Sequence, residues 1–273
     1  MIRYSNYRLE DKVAIVTGAT GVLGGAMAKG LAEAGAKVAL LGRNEERAHQ
    51  RADEIRAGDG EALPVLADVL EIEQLEKARE QVLSSWGRID ILVNAAGGNI
   101  PEATVSPNDT IFDISPRAIK EVMDLNFMGT LLPIQVFGKV MKEQKSGCIV
   151  NISSMATMNA ITRVVGYSAA KAAVENYTKW LAVELALKVS DKIRVNAIAP
   201  GFFLSEQNKF LLFAEENMLT ERGKKIISKT PMGRFGEPEE LLSTLLWLCV
   251  DESDFVTGVV VPVDGGFSSF SGV

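Results

Sequence analysis

The stretch TGATGVLG, residues 17–24, decides how the rest of the chain is read. It follows the apolar run KVAIVTG (12–18) and opens the helical pattern GVLGGAMAKGLAEAGA (21–36), which ends at Gly35. Gly18, Gly21 and Gly24 are spaced G-x-x-G-x-x-G. Glycines between a strand and a helix allow a tight turn, close approach of backbone to a pyrophosphate, and close helix–strand packing. The helix start adds free N–H groups and a dipole that favours an anion. Gly18, Thr20, Gly21, Val22, Leu23 and Gly24 are therefore the residues expected against a dinucleotide. Three glycines could equally make a plain tight turn, so the surrounding pattern must decide.

That pattern alternates short apolar runs with longer helical ones. After the turn come KVALLG (37–42), a charged helix over 44–57, EALPVLADV (61–69), a helix over 71–86 and RIDILVNAAG (88–97). A helix around 117–145, GCIVNISS (147–154), a further helix, KIRVNAIAPG (192–201), a helix near 237–250 and GVVVPVDGG (258–266) complete the chain. Seven strands separated by helices imply right-handed crossovers and a parallel sheet covered on both faces. The expected fold is a single α/β domain over 1–273, a doubly wound Rossmann-type sheet. Two connections are too long to be simple links, 98–116 and 202–236, and both follow strand C-termini, where ligands of open α/β sheets bind. Phe210, Leu211, Leu212, Met218, Leu219, Ile226 and Ile227 give the second a helical character, as in a partly helical lid.

Composition narrows the function. The chain has 273 residues, 47% hydrophobic and 23% charged, with a net charge of −6. That balance suits a globular protein and argues against a nucleic-acid partner. No apolar run approaches a membrane span, and the opening MIRYSNYRLEDK lacks the apolar core of a signal peptide, so a cytoplasmic protein is expected. Cys148 and Cys249 sit in apolar runs and read as buried thiols rather than a disulfide or metal site. The single histidine, His49, lies in a polar helix, which makes a Ser-His-Asp hydrolase improbable.

The end of the second strand reads Gly42, Arg43, Asn44. A carboxylate there would bind a ribose 2′-hydroxyl and favour NAD, whereas an arginine accommodates a 2′-phosphate. Arg43 thus favours NADP, with NAD possible; a solvated helix-start arginine is the competing reading. In GYSAAK (166–171), Tyr167 and Lys171 lie one helical turn apart on one face. Alone, that pair would be a tyrosine packed on a lysine stem.

Taken together, the motifs resemble the short-chain dehydrogenase/reductase family over essentially the whole chain. TGATGVLG, Asp68-Val69, NAAG (94–97), Asn126 of DLNFMG, NISS (151–154), YSAAK (167–171) and NAIAPG (196–201) occur in that family's order. The resemblance implies a nicotinamide cofactor and a catalytic set of Asn126, Ser154, Tyr167 and Lys171. The family's spacing of thirteen between serine and tyrosine selects Ser154 over Ser153. It also implies that Asp68 and Val69 contact the adenine, although Asp68 could be a helix N-cap. Asn94, Ala95 and Gly97 would line the cofactor trough, Pro200 and Gly201 would pass the nicotinamide, and Ser205 would sit near its carboxamide. The usual second glycine of the family falls at Val22, and Gly21 takes its place as in the extended branch. Tyr167 would be the general acid/base, its pKa lowered by Lys171 and the oxidised nicotinamide.

For the substrate, AAGGNIPEAT, SSMATMNAITRVVGYSAAK, APGFFLSEQN and the ending VPVDGGFSSFSGV resemble the mannonate oxidoreductase (fructuronate reductase) subgroup. That suggests a sugar acid, D-fructuronate or D-mannonate. Arg163, Asn99, Gln207, Asn208 and Lys209 are then candidates for its carboxylate and hydroxyls. Gluconate 5-dehydrogenase-like chemistry and 3-oxoacyl carrier-protein reduction are the enzymatic alternatives, though no basic docking cluster is visible for an acidic carrier. A non-catalytic nucleotide sensor is the alternative of another class. By the same resemblance, the C-terminal helix, strand and tail (237–273) imply a homotetramer.

Overall fold

The computed structural model describes residues 7–204, 212–213 and 218–272. Its centre is a seven-stranded, fully parallel sheet of order β3-β2-β1-β4-β5-β6-β7. The strands are β1 (Val13–Thr17), β2 (Lys37–Gly42), β3 (Ala62–Leu66), β4 (Ile91–Asn94), β5 (Gly147–Ile152), β6 (Ile193–Pro200) and β7 (Val260–Val263). β1, β4 and β6 are buried at every residue, which is why they read as continuous apolar runs rather than alternating ones.

Alternate side chains nonetheless feed two different cores. Ala14, Val16, Val38, Leu40, Ile91 and Val93 face helices α1 (Val22–Glu33), α2 (Glu45–Arg56) and α8 (Leu242–Cys249). Val13, Ile15, Ala39, Leu41 and Leu92 face α3 (Ile72–Trp86), α5 (Gly129–Gln144) and α6 (Val165–Lys188). The period-2 alternation of a strand thus builds the two-sided sandwich expected from sequence.

Strand order reverses between β1 and β4, the switch point where ligands of such sheets bind. Register aligns Thr17 with Asn94, and Asn94 with Asn151, at the C-terminal ends of three neighbouring strands. Thr17 Oγ1 accepts from the Ala95 and Ala96 N–H groups at 3.1 Å each, turning the chain sharply after β4. Asn94 Nδ2 donates to Asn151 Oδ1 (2.9 Å), Asn151 Nδ2 to Thr178 Oγ1 (2.9 Å), and Thr178 Oγ1 to the Val174 carbonyl (2.8 Å). The hydroxyl of Thr178 spends its proton on Val174, so the direction of the whole chain is fixed.

Two elements differ from expectation. The helix over 117–145 is three pieces: α4 (Pro116–Met123), a π-helical turn (Asp124–Met128) and α5. In the π-turn the Gly129 N–H donates to the Asp124 carbonyl, five residues back. The last helix opens with a 3₁₀ turn, Pro238–Leu241, before α8. Within the 202–236 connection, the described part contains α7 (Glu221–Lys229), capped by Thr220, whose Oγ1 accepts from the Gly223 N–H at 3.1 Å. Leu212, Ile226 and Phe235 form a small core beneath it, with Phe202 and Leu204 packed alongside.

Candidate active site

The glycine turn folds as its spacing requires. Gly18 adopts φ +65°, and a Cβ on it would stand 2.8 Å from the Ala96 backbone. A Cβ on Gly24 would collide with the Gly18 carbonyl oxygen and stand 2.8 Å from its carbonyl carbon. Gly21 is the N-cap of α1 and Val22 its first helical residue; Gly21 offers no capping side chain, and the first turn holds no acidic residue. The free N–H groups at this helix start therefore have no anion of their own, and the cradle is open to one. A pyrophosphate fits it.

Thr20 packs against the end of β2, where Gly42 leaves the room: a Cβ there would lie 2.7 Å from Thr20 Cγ2. Leu23 is half-buried on the same turn. Arg43 is 72% exposed in its side chain and faces Asp68 Oδ2 at 3.4 Å. Asp68 is not the N-cap of α3, the position Glu71 holds. Its Oδ1 instead accepts from the Leu70 N–H at 3.0 Å, bending the chain after β3. Val69 is buried against Gly129. Asn94 is buried, and its Oδ1 has no partner among the described residues. Ala95 is half-buried and Gly97 exposed. At the end of β6, Gly201 donates its N–H to the Val263 carbonyl (2.9 Å), and a Cβ would stand 2.7 Å from Asp264. Pro200, its neighbour, is the last residue of that strand.

Asn126 and Lys171 meet at Gly97, and Lys171 lies beside Tyr167, which has Ser154 as its neighbour. Asn126, fully buried on the π-turn, donates from Nδ2 to the Gly98 carbonyl (2.7 Å) and the Val122 carbonyl (2.8 Å). Its Oδ1 accepts from the Gly98 N–H (3.0 Å), so one amide clips the loop after β4 in both directions. A Cβ on Gly97 would stand 2.6 Å from Asn126 Oδ1 and 3.0 Å from Lys171 Nζ, so amide and ammonium face each other across that glycine. Lys171 Nζ donates to the Ile152 carbonyl at 2.8 Å and lies 5.7 Å from the Tyr167 ring centre. Ser153 Oγ donates to Glu175 Oε1 (2.6 Å), whereas the Ser154 hydroxyl accepts from the Ala156 N–H (3.2 Å) and lies close enough to the Tyr167 phenol to draw its pKa down. The neighbouring serines point apart as a strand demands, and only Ser154 reaches the tyrosine.

The electrostatics depart from expectation. Burial raises the Tyr167 pKa above its usual 10, and the Ser154 bond offsets only part of this. Burial also pulls Lys171 down to about 8. Lys171 does not lower the phenol here, because desolvation outweighs an ammonium directed at a backbone carbonyl. Tyr167 is half-buried by surface area, but neighbouring atoms crowd its phenol, and that crowding sets the direction of the shift.

A stability consequence follows for Lys171. Below pH 8 the folded chain must hold a buried ammonium, at a cost of about 3 kcal/mol relative to the unfolded chain. From pH 8 towards 10.5 the unfolded chain still carries a proton that the folded chain has released, so the penalty shrinks as pH rises. Lys171→Met should gain thermal stability relative to wild type near pH 7, with the gain narrowing above pH 8. Melting curves from pH 6 to 10 check this; a difference that is flat across the range refutes the burial cost.

On the substrate side, Arg163 adopts φ +80° and is tied to the 98–116 loop: its Nε donates to the Val105 carbonyl (2.8 Å) and its carbonyl accepts from the Val105 N–H (2.9 Å). Asn99 Nδ2 donates to Thr104 Oγ1 (2.7 Å), while its buried Oδ1 has no partner among the described residues. Ser205, Gln207, Asn208 and Lys209 lie outside the described residues. Sequence reasoning missed Gly42, which admits Thr20, and Glu175, which removes Ser153 from the site. It also missed Arg222, Lys225 and Lys229 on α7, which line one cavity with Arg163.

Residues 18–268 match the family described as enoyl-(acyl carrier protein) reductase. The chain is 47% identical to the uncharacterized oxidoreductase UxuB of Bacillus subtilis (strain 168), covering 97% of this chain and 98% of that one.

The chain belongs to the short-chain dehydrogenase/reductase family.

It is an NAD(P)-dependent oxidoreductase acting on CH–OH groups. Among solved structures of this family, a candidate D-mannonate oxidoreductase from Haemophilus influenza with bound NAD superposes with a TM-score of 0.92 at 48% identity, covering 98% of this chain and 99% of that one. A gluconate 5-dehydrogenase from Burkholderia cenocepacia J2315 in complex with NADP and tartrate gives 0.84 at 31% identity, covering 97% and 98%. No helix among the described residues of this short-chain dehydrogenase/reductase is long and apolar enough to cross a membrane.

Proposed function

We propose that this enzyme interconverts the ketone and alcohol of a sugar acid, D-fructuronate and D-mannonate, with Tyr167 as general acid/base. The observation that carries the reaction is the meeting of Ser154, Tyr167, Lys171 and Asn126 at the end of the cofactor cradle. The nicotinamide, when bound, gives or takes the hydride. In the reducing direction the phenol of Tyr167 protonates the carbonyl oxygen, which Ser154 orients by a hydrogen bond. Burial, which raises its pKa, keeps the proton on the phenol as the acid. Lys171, once near the cofactor ribose, supplies the positive charge that stabilises the phenolate left behind. Asn126 holds the loop that floors the site and places a water on the proton's way out.

The cofactor would lie along Gly18–Gly24, Asp68-Val69, Asn94–Gly97 and Pro200-Gly201. Arg43 is exposed and, among the described residues, makes a long contact to Asp68; a 2′-phosphate would take it as partner, a reading that favours NADP. Gluconate 5-dehydrogenase-like activity is the second reading, supported by the likeness to the enzyme with NADP and tartrate. Cytoplasmic location is consistent with the composition. A homotetramer is supported by the exposed Trp180, Val183 and Leu187 of α6 and by Phe255 and Val259 beside β7.

Following NADPH or NADH oxidation with D-fructuronate, 5-keto-D-gluconate and an acetoacetyl thioester tests the assignment. Rapid turnover with D-fructuronate alone supports it, whereas turnover only with another ketone removes the substrate and keeps the mechanism. In the same assay, Arg43→Gln should lower kcat/KM for NADPH roughly tenfold or more, the loss of a charge-assisted bond, and leave NADH unchanged. Equal losses with both cofactors would end the 2′-phosphate assignment.

A further inference from the structure

We infer that the cavity between residues 160–163 and α7 is the subsite for the substrate's carboxylate, with Arg163 and Arg222 as its paired cations. This rests on the sugar-acid reading above. The cavity holds about 350 Å³ and is lined by Arg163, Arg222, Lys225 and Lys229 against an apolar floor that includes Phe202 and Ile226. Four cations around one cavity are a poor arrangement unless an anion joins them. None of the four forms an ion pair with a carboxylate among the described residues.

The two lysines have other company. Lys229 Nζ sits 5.8 Å over the Phe270 ring, and Lys225 shares the field of Glu221 on its own helix. The two arginines have no acidic or aromatic partner of this kind among the described residues. Arg163 spends its Nε–H on the Val105 carbonyl, which fixes the plane of the guanidinium and leaves both terminal NH₂ groups free for a ligand. Its left-handed backbone, held by the Val105 pairing, is a conformation a non-glycine residue adopts at some cost and keeps where the surroundings enforce it. Arg222 is half-buried, and both its burial and the nearby Arg163 charge press against its protonated form. A carboxylate between the two guanidiniums would relieve that repulsion and accept parallel N–H bonds.

Position favours the substrate over the cofactor. Arg163 lies one turn before Tyr167 in sequence, and Phe202 of the cavity floor follows Pro200-Gly201 directly. A six-carbon polyol acid with its anionic end here would extend its ketone towards the phenol. A phosphate ester would be held by the same guanidiniums, so the ligand series must separate the two.

The test is equilibrium titration without turnover: D-mannonate, D-mannitol, tartrate and glucose 6-phosphate into enzyme saturated with its reduced cofactor. Wild type should prefer D-mannonate to the uncharged D-mannitol, and Arg222→Gln should erase that preference, weakening the acid roughly 10- to 100-fold. D-mannitol and cofactor affinities should stay unchanged, which reports an intact fold. Arg222→Lys should restore part of the affinity. If wild type binds tartrate or the phosphate ester but no hexonate, and Arg222→Gln abolishes that binding, the anion site stands and the sugar-acid reading falls. If no anion binds, or Arg222→Gln leaves anion affinity unchanged, the subsite itself is overturned, whatever the substrate proves to be.

Discussion

Tyr167→Phe should lower kcat roughly 10²- to 10⁴-fold, the range expected for losing a positioned general acid, while NADH affinity stays within about twofold. The prediction is severe because, among the described residues, no other group stands ready to take over the proton. Lys171 is buried and committed to the Ile152 carbonyl. His49 sits on α2, and both cysteines are buried between β5 and α8. Ser154 can orient a carbonyl oxygen but has no low-energy anion at neutral pH. The ring of Tyr167 packs against Ala103, Ala118 and Val122, contacts that phenylalanine keeps, so the variant should fold as wild type does. Cofactor titration by fluorescence and steady-state rates on the same preparation separate the two effects. Retention of more than about a tenth of wild-type turnover would remove Tyr167 from the acid/base role.

Gly24→Ala should be equally damaging, at a different step. A methyl group there would collide with the Gly18 carbonyl, and Gly18 has little room to shift because the Ala96 backbone stands 2.8 Å from where its own Cβ would lie. The start of α1 must therefore move away from β1, costing about 1–3 kcal/mol of overpacking strain. The displaced helix start no longer aims its N–H groups at the pyrophosphate, so NADH should bind roughly 10- to 100-fold more weakly. Gly138→Ala is the control. Its Cβ would meet only Ile134 Cγ2 at 3.9 Å, in mid-helix, where alanine is favoured by about 1 kcal/mol. The first variant should melt lower than wild type and the second slightly higher. A Gly24→Ala enzyme with unchanged cofactor affinity would show that the close approach has no role in binding.

The sheet was legible because its determinants are local: buried strands as unbroken apolar runs, turns as glycines, helices as 3.6-residue patterns. Ser154, Tyr167 and Lys171 were legible because a strand and one helical turn fix their relative directions. The sign of the Tyr167 shift was not, since it depends on how much water the folded surroundings exclude. Nor could sequence show the cation-lined cavity: Arg163 and α7 are far apart along the chain and meet only when the lid folds over residues 160–163. Asp68 illustrates a third limit. Its type suits a helix cap, but the chain runs three residues further before α3 begins, and the carboxylate turns to Leu70 and Arg43 instead.

The π-turn at Asp124–Met128 acts as a phase shifter between two halves of what would otherwise be one long rod. An α-helix advances about 100° per residue, so straightening the turn into α-helix with every residue kept would rotate α4 by that angle relative to α5. Ala118 and Val122 would swing away from Tyr167, and Asn126 would leave Gly98, while the sheet beneath α5 stayed as it is. Anyone idealising this segment for robustness would thus keep the scaffold and uncouple the floor of the site from it. A one-residue gap here in a related sequence would instead restore a continuous α-helix with α4 and α5 in their present phase.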